Sequence, residues 1–281
     1  PAEPLSRSQR LKLQEKGDNP HLMSMTATPI PRTLSITYHG DMDLSIIDEL
    51  PKNRIPVTTK VVDPTKIEKV YDFIKEKIAL GRQAIIVYPL VKESEKSDLA
   101  AAIDAYESLS AIQFSKIKLG LVHGKMNPDE KEKVINQFNK NRINVLISTT
   151  VVEVGLDVPN ATIMLVEHAE RFGLTQLHQL RGRVGRSSEK SYCVLVKRNY
   201  SNLSRTRLEI MERTNDGFLI ADEDLKLRGP GEVFGQKQSG FFQYKIADIV
   251  KDGEIIREAR ELAFELVKLD PALNKSFNKD I

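Results

Sequence analysis

Eight residues, Gln179-Leu-Arg-Gly-Arg-Val-Gly-Arg186, concentrate three arginines and two glycines. Arginine stays charged at any relevant pH, and its planar fork matches a phosphate edge. Glycine leaves no side chain between that fork and its target. The spacing Q-x-x-G-R-x-G-R therefore reads as an arginine-finger element aimed at the phosphates of a nucleotide. A basic surface loop is the competing reading.

Upstream, Asn144-Val-Leu-Ile-Ser148 reads as a buried strand, and Thr149-Thr-Val-Val-Glu-Val-Gly-Leu-Asp-Val-Pro159 follows it. Hydroxyls and free N–H groups after a strand can hold a phosphodiester. Gly155 lets the backbone turn or approach a ligand, and Asp157 suits a ribose hydroxyl. An ordinary connection capped by Asp157 is the alternative. Met25-Thr-Ala-Thr28-Pro-Ile-Pro31-Arg32 sets two hydroxyls at the end of a short apolar segment. They suit a relay between ligands, or simply a loop tied by threonine caps. His123-Gly124 closes another apolar run. No second histidine stands at metal-ligand spacing, so no metal is assigned to the chain itself.

These groups need a scaffold, and the pattern from 54 to 196 supplies one. Strands are expected at 57–62, 84–88, 116–122, 144–148, 161–166 and 191–196. Between them, Ile67, Val70, Tyr71, Ile74 and Ile78 repeat at helical spacing, with Thr65-x-x-Glu68 as a capping box. Leu99, Ala102, Ile103 and Tyr106 repeat the spacing. Asn127-Pro128-Asp129-Glu130 opens a further helix with a cap, a proline and first-turn acids. Alternating units of this kind predict an α/β fold, a mainly parallel sheet with helices on both faces. Ligands then belong beyond the carboxyl ends of the strands. The first fifty residues are too little to bury a core of their own. After Val196 a helix at 202–213, a turn at Thr214-Asn-Asp-Gly217 and a helix near 220–227 predict a helical hairpin. A glycine-studded loop follows. A terminal amphipathic helix then carries Ile255, Ile256, Ala259, Leu262, Ala263 and Leu266.

The 281 residues, 40% hydrophobic and 29% charged, have an ordinary globular balance. No run of about eighteen apolar residues marks a membrane span, and the start lacks an apolar signal core. A chain opening on Pro1 is expected to carry an expression remnant or the cut end of a larger protein. Cys193 stands alone, which excludes an internal disulfide and fits a reducing, cytoplasmic setting. The net charge of +3 is too weak to argue for nucleic acid, but residues 171–213 hold ten Lys/Arg against three Glu. Such a field holds phosphates of a nucleotide or a nucleic acid; a solvated charged face is the alternative.

The sequence resembles superfamily-2 helicases, and within them the RecG family of branch-migration helicases. Thr26-Ala-Thr28 resembles motif III, residues 84–91 motif IV, residues 148–159 motif V and residues 176–186 motif VI. Asp216-Gly-Phe-Leu-Ile-Ala-Asp-Glu-Asp-Leu-Lys-Leu-Arg-Gly-Pro-Gly-Glu232 resembles the family's translocation motif. The likeness covers nearly all of residues 8–270. The transcription-repair coupling factor shares the last motif, but Arg228-Gly-Pro-Gly-Glu232 and Asp216-Gly-Phe218 favour RecG. There is no G-x-x-x-x-G-K-[ST] and no D-E-x-H box; Met126 follows Gly124-Lys125. The resemblance therefore implies that ATP is held jointly, with the phosphate cradle and the Mg²⁺ ligands outside this chain.

It implies a remnant of the first lobe at 1–53 and a second RecA-like lobe at 54–198. At 199–281 it implies the translocation hairpin, loop and terminal helix. Arg183 and Arg186 would reach the γ-phosphate, with Gln179 sensing it and Gly155 and Asp157 lining the nucleotide. Thr149, Thr150, His123 and Gly124 would meet the DNA backbone. Thr26, Thr28, Arg207, Arg228 and Gln238 would couple hydrolysis to movement. The competing role for Arg207 and Arg228 is pairing with Glu209 or Asp224 to hold the hairpin. The implied partners are branched DNA (forks and Holliday junctions), the first lobe and a wedge domain, in a monomeric enzyme of repair and recombination. The fragment alone is expected to be inactive. A non-catalytic binding module that kept the fold is the reading from another class.

Overall fold

Strands rich in Val, Ile and Leu can be buried on both faces only in a parallel sheet covered by helices. The computed structural model describes residues 23, 25, 45–47, 49, 54–89, 95–149, 158–199, 201–228 and 252–275. Six strands form one sheet: β1 (Thr58–Val62), β2 (Gln83–Val87), β3 (Leu119–Val122), β4 (Val145–Ser148), β5 (Ala161–Val166) and β6 (Tyr192–Val196). Their order is β1-β6-β5-β2-β4-β3, and every pair is parallel. Every residue of β2, β4 and β5 is buried, as their unbroken apolar runs predict. The expected six-strand α/β scaffold is present, with boundaries shifted by at most three residues.

Helices α1 (Ile67–Ala79), α2 (Glu95–Ser108), α3 (Pro128–Asn139) and α4 (Leu174–Arg181) lie between the strands. The connections from β1 to β2 to β3 run one way across the sheet, and those from β3 to β6 run back. Right-handed crossovers put α1 and α2 on one face and α3 and α4 on the other. The core includes Tyr71, Ile74, Ile86, Phe114, Ile147 and Leu165. Tyr71 meets Phe114 edge-to-face at 5.6 Å. Along the outer edge of β1, Glu212 Oε1 accepts the Val61 N–H at 3.2 Å, blocking further strand pairing there.

One cap differs from expectation. Thr65-x-x-Glu68 does not form a capping box. Asp63 Oδ1 accepts from Thr65 N at 3.1 Å and Thr65 Oγ1 at 2.9 Å, and a 3₁₀ turn at Pro64–Lys66 precedes α1. Pro64 fits the first turn with its fixed φ, so the start moves back to Asp63. Glu68 instead accepts from Gln113 Nε2 at 2.8 Å. The cap on α3 is as expected, with Asn127 Oδ1 taking the Asp129 N–H at 3.3 Å.

Helix α5 (Asn202–Arg213) is capped by Ser201. The described elements fall into two compact units, and the sheet, α1–α4 and α5 belong to the one that runs to Asn215. The other contains residues 216–281. In it, α6 (Gly217–Arg228) begins three residues earlier than expected because Asp216 Oδ1 accepts the Phe218 N–H at 2.8 Å. Its second described helix, α7 (Gly253–Leu269), is followed by Asp270, whose carboxylate accepts the N–H groups of Asn274 and Lys275.

Candidate functional site

Helix α4 runs only eight residues and buries Leu174, Leu177, Leu180 and Arg181 on one side. It ends at Gly182, and the chain then turns through Arg183, Val184 and Gly185. Val184 is fully buried and acts as the foot of the turn. Gly185 has φ +76°, and a Cβ there would come 2.5 Å from Val57 Cγ2. Only glycine fits that position without displacing the neighbouring strand entry. Arg54 Nε donates to the Gly185 carbonyl at 3.0 Å, bracing the turn from behind. Arg183 is left half-buried and Arg186 exposed, with Arg186 Nε donating to the Gly182 carbonyl at 3.2 Å. Gln179, one turn earlier, is half-buried.

The three arginines of the motif thus divide. Arg181 is 3% exposed. Its Nη1 donates to the carbonyls of Met211 at 3.0 Å and Thr214 at 2.8 Å, and to Thr59 Oγ1 at 3.3 Å. Its Nη2 lies 3.1 Å from His178 Nδ1. Burial pulls its pKa below the usual arginine value, yet an arginine remains charged in a folded protein.

Location is the second departure from expectation. Gly185 sits against Val57 and Ser191, the residues that lead into β1 and β6, and Arg82 just before β2 pairs with Glu189 at 2.7 Å. The arginine turn therefore follows the amino edge of the sheet, not the carboxyl edge. The reason is that α4 runs back antiparallel to β5, carrying the chain about 12 Å from one edge to the other.

The carboxyl edge holds a different row. Val122, Ser148, Val87 and Val166 are aligned in register, and the residues after them are His123, Thr149, Tyr88 and Glu167. Thr149 is fully buried, and its Oγ1 has no hydrogen-bond partner among the described residues. His123 Nδ1 is enclosed and likewise unpartnered. Desolvation, then Lys131 and Lys125, lowers the His123 pKa below the usual histidine value. Gly124 is exposed, and its carbonyl accepts from Lys131 Nζ at 2.9 Å. Glu167 is buried and pairs with Arg198 Nε at 3.0 Å. Burial, with the charge of Glu167, pushes the Tyr71 hydroxyl up to about 12, and Tyr88 moves in the same direction.

From this edge the chain enters α4 through Glu170 and Phe172, and both carbonyls are gripped from α5. Arg207 donates Nη1 to Phe172 O at 3.1 Å and Nη2 to Glu170 O at 3.2 Å. Glu209 pairs with Arg205 at 2.8 Å. In the second unit Arg228 pairs with Asp224 at 3.0 Å, the local contact considered for it. Thr26, Thr28, Thr150, Gly155, Asp157 and Gln238 lie outside the described residues, as does nearly all of 1–53. The sequence reading missed Arg54, Glu167, Glu170 and Arg198. The only signal for the acids was their place directly after the apolar run of β5.

The helicase conserved C-terminal domain family matches residues 65–188, and the C-terminal part of domain 3 of the ATP-dependent DNA helicase RecG matches 214–281. The chain is 50% identical over 94% of its length to an ATP-dependent DNA helicase RecG of Synechocystis sp., covering 32% of that protein. It is 49% identical over 93% of its length to the Bacillus subtilis protein of that name, covering 38% of it. It therefore spans about a third of the length of these curated relatives. A solved structure of RecG bound to a three-way DNA junction matches 82% of the chain and 30% of that protein, with 44% identity and a TM-score of 0.65.

Proposed function

This chain belongs to the RecG helicase family, and we propose that it forms the second motor lobe and translocation motif of an ATP-dependent DNA helicase that remodels branched DNA in repair and recombination. The observation that carries the proposal is the braced turn at Gly182–Arg186. Its glycine geometry and the Arg54 bond hold it rigid, which reduces the reorganisation needed when charge develops on a phosphate. A cationic, donor-only set fits phosphate oxygens and not a metal ion. Arg183 and Arg186 would donate to the γ-phosphate, and Gln179 would sense it. Asp157 and Gly155 would line the nucleotide. The cradle and the Mg²⁺ ligands would come from a first lobe, to which residues 1–53, with Thr26 and Thr28, would contribute.

His123, Gly124 and Thr149 at the opposite edge, together with Thr150, would meet DNA phosphates, contacts that position the duplex without reading its sequence. In the state described Thr149 is enclosed, so its contact requires rearrangement around it. Arg207, with Arg228 and Gln238, would convert cleft closure into movement. The protein would act as a cytoplasmic monomer carrying a junction wedge.

The test is Arg183→Ala and Arg186→Ala in the intact two-lobe protein. ATP turnover on branched DNA should fall by about 10³-fold or more while DNA affinity is kept. Turnover at the unsubstituted rate in both variants would overturn the assignment. The isolated chain should hydrolyse no measurable ATP.

A further inference from the structure

We propose that Arg181 does not join Arg183 and Arg186 at the phosphates but is the positioning residue that ties their turn to the end of α5, where the chain leaves the lobe. This rests on the reading of the Gly182–Arg186 turn as nucleotide-facing.

Three observations converge. First, Arg181 is 3% exposed, and its partners among the described residues are two carbonyls, a hydroxyl and an imidazole, with no carboxylate. A buried cation without an anion is costly, and an apolar side chain would fill the space with less desolvation. What offsets the cost here is the unpaired carbonyl end of α5, the negative pole of that helix. Second, the two carbonyls it holds belong to Met211 in the last turn of α5 and Thr214 just past it. Thr214 lies one residue before Asn215, where the first compact unit ends. Third, only Gly182 separates Arg181 from Arg183. A displacement of the arginine turn is therefore passed to residues 211–214 through one rigid, forked side chain.

The start of α4 is also tied to the middle of α5, because Arg207 grips the carbonyls that lead into α4. With both ends of α4 fastened to the middle and end of α5, the two helices move together. The fork matters as well as the charge. A lysine ammonium is a point donor on a flexible stem and cannot bridge the same acceptors in one fixed plane.

The experiment is amide hydrogen exchange on the intact two-lobe protein, with and without a saturating non-hydrolysable ATP analogue. In the unsubstituted protein the analogue should change protection across residues 211–217 by about tenfold. Arg181→Met should abolish that change, and the base pairs displaced per ATP should fall by about tenfold. Arg181→Lys should keep part of both; if the methionine variant does not fold, the lysine variant is read in its place. An unsubstituted protein that binds the analogue without any change at 211–217 would overturn the proposal, as would a variant that keeps the full change. Failure of the unsubstituted protein to bind the analogue at all would overturn the motor reading itself.

Discussion

The Glu167 carboxylate, with its side chain 1% exposed, receives Arg198 Nε at 3.0 Å, and the Arg198 backbone N–H goes to Glu170 Oε2 at 3.1 Å. One arginine thus fastens the exit of β6 to both acids that follow β5. Glu167 Oε1 has no hydrogen-bond partner among the described residues, so the carboxylate depends on Arg198. Arg198→Ala should cost about 2 kcal/mol, the low side for a buried pair because the arginine is partly exposed. Glu167→Met with Arg198→Met should recover most of that loss. Urea denaturation of the single and double variants measures both. Additive losses in the double variant would show that the pair is not coupled.

Gly185→Ala should destabilise by about 2 kcal/mol, since a residue with a Cβ is strained at positive φ and its methyl would collide with Val57 Cγ2. Adding Val57→Ala should relieve the collision but not the backbone strain. The double variant should therefore recover only part of the stability in a urea titration. Full recovery would mean that the left-handed backbone costs nothing here.

Arg207→Ala in the intact protein should preserve DNA binding and much of the ATP turnover while abolishing unwinding, because the carbonyls of Glu170 and Phe172 lose their tie to α5. Parallel assays of turnover and strand displacement decide it. Unwinding near the unsubstituted rate would remove Arg207 from the coupling path.

His123 should titrate below the usual histidine value, since desolvation and the charges of Lys131 and Lys125 oppose its protonation. The sign follows from proton counts. Below about pH 6.5 the unfolded chain binds a proton at this site that the folded chain resists, so stability falls as pH falls through that window. An NMR titration should place the His123 midpoint below 6.5, and His123→Gln should flatten this part of the stability–pH curve. A midpoint above 6.5 would contradict the enclosed, cation-flanked environment.

Much of this architecture is legible along the chain because its signals are local. The apolar runs of β2, β4 and β5 can be satisfied only by burial on both faces, whatever packs against them. Asn127-Pro128 marks a helix start through its own two residues, and Q-x-x-G-R-x-G-R announces a cationic, glycine-bearing turn by composition and spacing. Tertiary structure alone decided which arginine is enclosed and which is left accessible. Arg181 and Arg183 are alike in the sequence, and only contacts with residues 30 and 33 positions away assign Arg181 to the interior. The edge of the sheet on which the turn sits was decided the same way, by Val57 and Arg54, the latter 131 positions from Gly185. Periodicity reports which residues must be hidden; it carries no information about which distant carbonyl or carboxylate will meet a buried charge, because that choice is made only when the layers close.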